Sequence, residues 1–392
     1  MRSLEPAGVV PPLTDDLFVF DIARALAAAL VLLSHARHLL VRDAGAEPSL
    51  GLAGQAFYSL SGLGHQAVMV FFVISGFLVT RSMQRQAEAG RWSLPDYGLT
   101  RLVRLWTVLL PCLLLGGLLD TIGQRLVPGY GVASAPPPPV GPFSLDAVTL
   151  LGNAVFRQTV DVPVFGTNNA LWSLAYEAHY YAAAGLLFAA WRARRHPLGL
   201  SLSVGGTVAV LLLMSRPMLM LYPIWMIGAG AALASRYAAS GNCAVRAGAI
   251  TAFALALVLA RLGGSRWQDA TDGLIAVTAA WTLLASRAWC PARSAWTDAG
   301  RTWADRSYTL YASHLPLLTL LAAVTVGSHR LPFGAAATVL VGAACILGLA
   351  WATLLWWLFE RHTPAVQRWA ERLLARGRAP TGFGVTRPEP HR

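Results

Sequence analysis

Long apolar runs dominate this sequence and leave few folds open to it. A helix needs about 20 apolar residues to cross the hydrocarbon core of a bilayer. Only 13% of the 392 residues are charged, whereas soluble domains carry about one quarter. The runs are too long and unbroken for the alternating strands of a membrane barrel. We predict an all-α, polytopic membrane bundle of about ten spans, at roughly 18–40, 64–81, 101–121, 170–191, 198–214, 218–235, 245–262, 271–287, 307–327 and 335–358.

Arginine distribution predicts the orientation and domain organisation of these spans. All 31 basic residues are arginine, and most fall in segments that a cytoplasmic N-terminus places inside. Because cytoplasmic loops are rich in basic residues, we predict that both termini are cytoplasmic in a multi-pass protein of the cell (inner) membrane. Residues 1–360 would form the membrane domain, with an external loop at about 122–169 that contains prolines 136–139. Residues 361–392 would form an arginine-rich, partly disordered cytoplasmic tail.

Charge and cysteine content indicate neither a nucleic-acid-binding protein nor a metalloprotein. The net charge of +12 is spread over many short loops rather than collected on one soluble face. The four cysteines, Cys112, Cys243, Cys290 and Cys345, lack the spacing of metal ligands or of a disulfide framework. We therefore predict no nucleic-acid partner and no metal.

The first span carries an arginine and a histidine on the same helical face. Arg24 and His35 are eleven positions apart, which is three turns plus about 20° and about 16 Å along the axis. Ionisable side chains in a membrane helix are costly and therefore indicate function. Asp21, three residues before Arg24, can pair with it. The simpler alternatives are a snorkelling arginine and an interfacial histidine.

The second and third runs also contain polar or basic positions. Ser75 and Gly76 lie within the second run, where small residues allow another helix to approach closely. Packing explains both residues, and Ser75 is also a site candidate. Arg101 and Arg104 open the third run, one turn apart. They either anchor the helix at the cytoplasmic face or bind phosphate groups in a bidentate manner.

The fourth run has a carboxylate near its predicted external end. Asn168 or Asn169 can cap this helix, which places Glu177 about two turns into the apolar region. A carboxylate at that depth needs a partner, so Glu177 is either a functional group or part of a structural ion pair. Trp172, at the start of the same helix, is a further site candidate.

Aromatic and histidine side chains open the ninth run. Tyr311 and His314 are three residues apart and therefore neighbours on one helical face. Pro316 removes a backbone hydrogen bond close to His314. We expect His314 to lie at the depth of Arg24, in the cytoplasmic half of the membrane.

Together these patterns resemble the acyltransferase-3 family of membrane O-acyltransferases. The motifs occur in family order: Asp21-x-x-Arg24-x10-His35, Phe71-Phe72-x-x-Ser75-Gly76-Phe77-Leu78, the arginines that open the third span, Leu171-Trp172-Ser173-Leu174-x-x-Glu177, and Ser307-Tyr308-x-x-Tyr311-x-x-His314. The resemblance implies about ten spans, a cytoplasmic N-terminus, acyl-CoA as the cytoplasmic donor and essential roles for Arg24 and His35. Acetyl is the commonest acyl group in the family. Ala178-His179 departs from the polar or aromatic pair that many members have after the glutamate.

The predicted chemistry is direct acyl transfer to a hydroxyl. His35 would act as general base, since imidazole has a suitable pKa at neutral pH. Glu177 would orient His35 or bind the acceptor, and Arg101, Arg104 and Arg24 would hold the phosphates of CoA. The acceptor is predicted to be a cell-surface or exported glycan. The alternatives are a small molecule, such as an antibiotic sugar, and a transporter without acyl-transfer chemistry.

Overall fold

The protein is all-helical in the part of the chain that the computed structural model describes, which is residues 17–47, 49–130, 142–237, 241–289, 292 and 294–377. Its helices, in chain order, are α1 (Phe18–Leu40), α2 (Leu52–Ser61), α3 (Gly64–Glu88), α4 (Leu94–Leu126), α5 (Ala147–Ala154), α6 (Trp172–Arg192), α7 (Pro197–Leu213), α8 (Arg216–Ala234), α9 (Cys243–Gly263), α10 (Gln268–Ser286), α11 (Ala295–Thr325), α12 (Ala335–Leu358) and α13 (Thr363–Gly377).

The helical membrane architecture is confirmed, but the number of spans stays a prediction. Seven helical segments of the described residues are long and apolar enough to cross a bilayer, namely α1, α2 with α3, α4, α8, α9, α11, and α12 continuing into α13. Each predicted span coincides with a helix, although α6 and α10 are not among the seven and α7 is short. The orientation of the termini likewise stays a prediction.

Two helices begin well before the apolar runs that predicted them. The helix α4 begins at Leu94, where the hydroxyl of Ser93 accepts the backbone N–H of Asp96 at 3.2 Å. The helix α11 begins at Ala295, where the backbone N–H of Ser294 donates to Thr297 Oγ1 at 2.9 Å. Capping groups in polar sequence set these ends, so hydropathy alone placed both starts too late.

Both ends of the predicted external loop are tied to one buried carboxylate. Asp120 near the end of α4 accepts hydrogen bonds from Tyr130 Oη at 2.7 Å and from the Thr167 backbone N–H at 2.8 Å. Burial, reinforced by this carboxylate, raises the pKa of Tyr130. Prolines 136–139 lie outside the described residues. So do Cys290 and the tail from Arg378 onward, whereas the first part of the tail forms α13.

The helix α1 lies between α3 and α11, and the aromatic contacts fix the register of the three. Phe20 stacks on Phe77 of the antiparallel α3, with ring centroids 4.4 Å apart. Further along, a Cβ on Gly64 would lie 2.6 Å from that of Ser34. Arg24 therefore lies at the level of about residues 73–75 of α3. His35 lies at the level of the first residues of α3. Phe18 contacts Trp296, with ring centroids 5.4 Å apart, and one turn later Ile22 lies against Gly300, so α11 runs parallel to α1.

Two glycines allow α3 and α8 to cross with their backbones in contact. A Cβ on Gly76 would lie 2.1 Å from the carbonyl oxygen of Trp225. A Cβ on Gly228 would lie 2.0 Å from the carbonyl oxygen of Val73. Real Cβ atoms cannot approach backbone atoms this closely, so both positions require glycine. The close approach predicted at Gly76 is confirmed.

Gly228→Ala is therefore expected to destabilise the protein. Its methyl group must push α8 away from α3, and overpacking of this kind typically costs about 1–3 kcal/mol. The measurement is the thermal midpoint of unfolding of purified protein in detergent. Gly230→Ala on the same helix is the matched control, because no heavy atom from another helix of the described residues lies within 4 Å of its Cβ position. Equal midpoints for the two variants would contradict the proposed packing role of Gly228.

Candidate active site

A cavity of about 300 Å³ lies among α1, α3, α4, α6 and α11. Its wall along α3 extends from Val68 to Ser82, which at 1.5 Å per residue is about 21 Å. Ser82 is near the end of α3 on the side where α1 and α4 begin, and Val68 is about one turn from Gly64. The cavity is therefore elongated along the helix axes, and we refer to it as the passage.

Six of the residues predicted from the sequence line this passage. They are Arg24, Ser75, Arg101, Arg104, Glu177 and Tyr311. Of the remaining candidates, Asp21 accepts a hydrogen bond from Arg24 at 2.7 Å, which confirms the predicted pair. Trp172 packs edge-on against Tyr176, with 4.9 Å between the ring centroids. His35 and His314 do not line the passage, but His314 lies one turn after Tyr311, which does.

The arginines of the passage retain unused hydrogen-bonding capacity. The Nε atoms of Arg24 and Arg101 are buried and have no hydrogen-bond partner within the described part of the chain. The guanidinium of Arg101 also lies over the rings of Tyr97 and Tyr181, 5.5 and 5.6 Å from their centroids. Leaving a buried N–H of a charged group unpaired is costly, so these positions suit an anionic ligand.

Glu177 belongs to a polar network in the middle of the passage. Its Oε1 accepts hydrogen bonds from Ser75 Oγ at 2.6 Å and from Tyr181 Oη. Trp225 Nε1 donates to the same serine oxygen at 3.2 Å. Ser75 is eleven residues along α3 from the level of Ser34, so Glu177 lies about 16 Å from the level of His35. The prediction that Glu177 orients His35 is therefore wrong.

The error has a structural cause in the start of α6. Asn168, just before this helix, is buried, and its Nδ2 donates to the carbonyl oxygen of Ala312 in α11 at 2.8 Å. The helix thus begins inside the bundle, near the level of Ala312, rather than at the membrane surface. Glu177 is consequently placed deeper than an exposed cap would place it, at the level of Arg24.

His35 and His314 form a pair close to the passage. His35 Nδ1 and His314 Nε2 are 2.7 Å apart, and the rings are nearly parallel, with an interplanar angle of 11°. The side chain of Tyr311, which lines the passage, lies 6.3 Å from the ring of His314 between centroids. The expectation that His314 lies at the depth of Arg24 is wrong, because α1 and α11 are parallel and their register places it beside His35.

The hydrogen bonds of this pair assign the protons on both rings. His314 Nδ1 is 2.8 Å from the carbonyl oxygen of Leu310. A carbonyl oxygen only accepts, so His314 Nδ1 carries a proton and Nε2 of the neutral ring has the lone pair. His35 Nδ1 must then be the donor between the rings. Nε2 of neutral His35 is left as the nitrogen that can accept a proton.

Pro316 and Asn168 hold the backbone that carries His314. Pro316 has no N–H, so the carbonyl oxygen of Ala312 loses its usual helical partner four residues later. Asn168 Nδ2 donates to this same oxygen, and α11 continues unbroken to Thr325. Asn168 was predicted only as a helix cap, since the sequence does not show which carbonyl it would meet.

Tyr181 and Glu360 were not among the predicted site residues, and Tyr308 was named only as part of a motif. The two tyrosines line the passage, but aromatic side chains are common in apolar helices and give no distinct signal. Glu360 accepts a hydrogen bond from Thr309 and interacts electrostatically with Arg104. Its sequence signal is a carboxylate directly at the end of an apolar run, at the predicted boundary between membrane domain and tail.

A multi-pass helical bundle with an arginine-lined cavity, one helical turn from a histidine pair, suits a membrane enzyme that binds an anionic substrate. The profile of the acyltransferase-3 family, described as an acyltransferase domain, matches residues 18–357. The chain therefore belongs to this family, as the sequence motifs indicated. No curated protein and no solved structure matches the chain significantly.

Proposed function

We propose that this membrane acyltransferase moves an acyl group from acyl-CoA to a hydroxyl group of a cell-surface or exported glycan. One observation carries the proposal: a single passage connects three arginines to the residue that contacts the histidine pair. Family membership supports acyl transfer itself and disfavours the transporter alternative. A small-molecule hydroxyl remains the alternative acceptor.

The donor fits the passage in charge and length. Arg24, Arg101 and Arg104 would bind the phosphates of acyl-CoA, because guanidinium groups match phosphate oxygens in a bidentate manner. The extended pantetheine arm would run from the level of Arg24 and Glu177 toward the level of His35, about 16 Å further along the helix axes. In this arrangement Glu177 is a binding group for the arm, which contains amide N–H donors. The thioester would then reach the end of the passage near Tyr311.

The acyl transfer would use His35 as general base. Nε2 of His35 accepts the proton of the acceptor hydroxyl while the oxygen attacks the thioester carbonyl carbon. The tetrahedral intermediate collapses, the C–S bond breaks, and the CoA thiolate takes the proton from His35. The products are the acyl ester and CoA. The Nδ1–H of the transient imidazolium donates to His314 throughout.

The direct test is acyl transfer by purified protein in nanodiscs. Radiolabelled acetyl-, propionyl- and palmitoyl-CoA are offered with glycan acceptors or with free amino sugars and glycosides. We expect CoA release that depends on the acceptor and covalent label in the glycan. A protein that cleaves none of these thioesters under any acceptor condition would contradict the proposed donor. Label in the small molecules alone would identify the alternative acceptor.

We predict that donor and acceptor approach from opposite faces of the membrane. The passage begins at the side where α1 and α4 begin, which the arginine distribution predicts to be cytoplasmic, and His35 lies toward the other end of α1. In sealed, oriented vesicles with acyl-CoA on the cytoplasmic side, product should form on acceptor supplied to the external side. Product formed only on cytoplasmic acceptor would contradict this arrangement.

We predict that Arg101 and Arg104 act on donor affinity. Replacing both with glutamine removes two charge-assisted contacts, each worth about 1.5–3 kcal/mol, so the KM for acyl-CoA should rise at least about 100-fold. The acceptor KM should change little. The control is Arg91→Gln, which removes an exposed charge just before α4. If the double variant kept its donor KM, both arginines would only anchor the helix.

A further inference from the structure

The helix α13 carries an apolar face that no other part of the described chain covers. It follows α12 after one short turn, at Glu360–His362. Val366, Trp369 and Leu373 are at helical spacing, and they are 37%, 62% and 46% exposed. A stripe of this kind on a helix usually packs against a core or lies in a membrane surface.

The rotation of α13 about its axis is fixed by contact with α4. Gln367 Nε2 donates to Thr100 Oγ1 at 3.1 Å and also bonds Glu371 one turn later. These two residues therefore define the face turned toward α4. Val366, Trp369 and Leu373 lie on a different face of the helix at 100° per residue, which explains their exposure.

The apolar face continues the lipid-facing surface of α12. Leu354, Trp357 and Leu358 at the end of α12 are 47%, 51% and 41% exposed. The guanidinium of Arg361 lies 4.3 Å from the ring centroid of Trp357. Tryptophan and arginine together are typical of the boundary between hydrocarbon and headgroups. The helix α13 therefore begins at the depth of this boundary.

The remaining face of α13 is basic. Arg368 and Arg372 are exposed and lie one turn apart, between Glu371 and Trp369 around the helix axis. The helix thus has apolar side chains on one face and arginines on the neighbouring face. This distribution of residues is typical of a helix that lies in the plane of an anionic membrane surface. A protein partner would need a second apolar surface, whereas the bilayer already adjoins α12.

We propose that α13 lies in the membrane surface, with its apolar face among the acyl chains and its arginines against acidic phospholipid headgroups. This docking would also hold the start of α4, because Thr100 precedes Arg101. The proposal rests on the exposure, spacing and charge of α13 and is independent of the acyl-transfer mechanism.

Spin labels on the full-length protein in nanodiscs test this proposal. Labels are placed singly at Trp369→Cys, Leu373→Cys, Arg368→Cys and Arg372→Cys, in a chain whose Cys243, Cys290 and Cys345 are replaced by serine. In phosphatidylcholine with phosphatidylglycerol, the first two labels should be accessible to oxygen and shielded from a water-soluble nickel complex. The last two should show the reverse. Labels at Trp369→Cys and Leu373→Cys that are accessible to the nickel complex would overturn the proposal. Labels shielded from both oxygen and the nickel complex would also overturn it, because they would indicate a protein partner.

The acidic lipid requirement has its own measurement. In phosphatidylcholine alone, the label at Leu373→Cys should become several-fold more accessible to the nickel complex. Replacing Arg368 and Arg372 with glutamine should have the same effect in the acidic membrane. The matched control removes two exposed charges elsewhere, Arg194→Gln with Arg195→Gln, and should change nothing. Equal accessibility in both lipid compositions would overturn the assignment of acidic headgroups.

Discussion

His35→Ala is expected to yield a folded, membrane-inserted protein whose kcat for acyl transfer is lower by at least about 100-fold, the usual scale of general-base catalysis. The variant loses Nε2 of His35. In the hydrogen-bond pattern of the two histidines, this is the only nitrogen left to accept the proton of the acceptor hydroxyl. The KM for acyl-CoA should remain near its original value, because Arg24 lies about 16 Å away along α1 and Arg101 and Arg104 are on a different helix, α4. Initial rates with labelled acyl-CoA, after size-exclusion chromatography to confirm folding, provide the measurement.

His38→Ala is the matched control for this result. His38 lies one turn further along α1, and its Nδ1 is 3.8 Å from the Asp43 carboxylate rather than near His314. The side chain is of the same type, on the same helix, and outside the passage, so its loss should have a mild effect. Normal transfer by His35→Ala, or an equal loss in both variants, would exclude His35 as the specific base.

What the sequence could predict was mainly local. Apolar runs located the helices because the bilayer demands continuous apolar length. The Asp21–Arg24 pair followed from i,i+3 spacing and is confirmed. The close approach at Gly76 followed from residue size alone. Each of these inferences depends on one helix and needs no knowledge of its neighbours.

What the sequence could not predict was the register between helices. Spacing placed Tyr311 beside His314, but only the parallel alignment of α1 and α11 brings His314 to His35. Glu177 was assigned to the wrong depth because Asn168 begins α6 inside the bundle. Both errors concern distances between elements far apart in the chain, for which hydropathy and periodicity carry no information.

The largest remaining effect is expected at His314, which we assign as a positioning residue because it acts through His35. In His314→Phe the ring is retained, but the acceptor for His35 Nδ1–H is lost. The buried N–H then lacks a partner, the productive tautomer is no longer selected, and the imidazolium formed during transfer is not stabilised. We expect kcat to fall on the order of 100-fold, with the KM for acyl-CoA unchanged.

His314→Gln distinguishes this role from simple packing. Its Oε1 can take the place of Nε2 and accept the proton of His35 Nδ1, whereas phenylalanine is closer to histidine in shape but has no acceptor. If His314 acts by selecting the tautomer of His35, the glutamine variant should recover a substantial part of kcat and exceed phenylalanine at least about tenfold, that is, by about 1.4 kcal/mol. If it only fills space, phenylalanine should be the better replacement. The measurement is steady-state kcat and KM for the two variants, compared at matched thermal stability. A phenylalanine variant with wild-type kcat would exclude His314 from the mechanism.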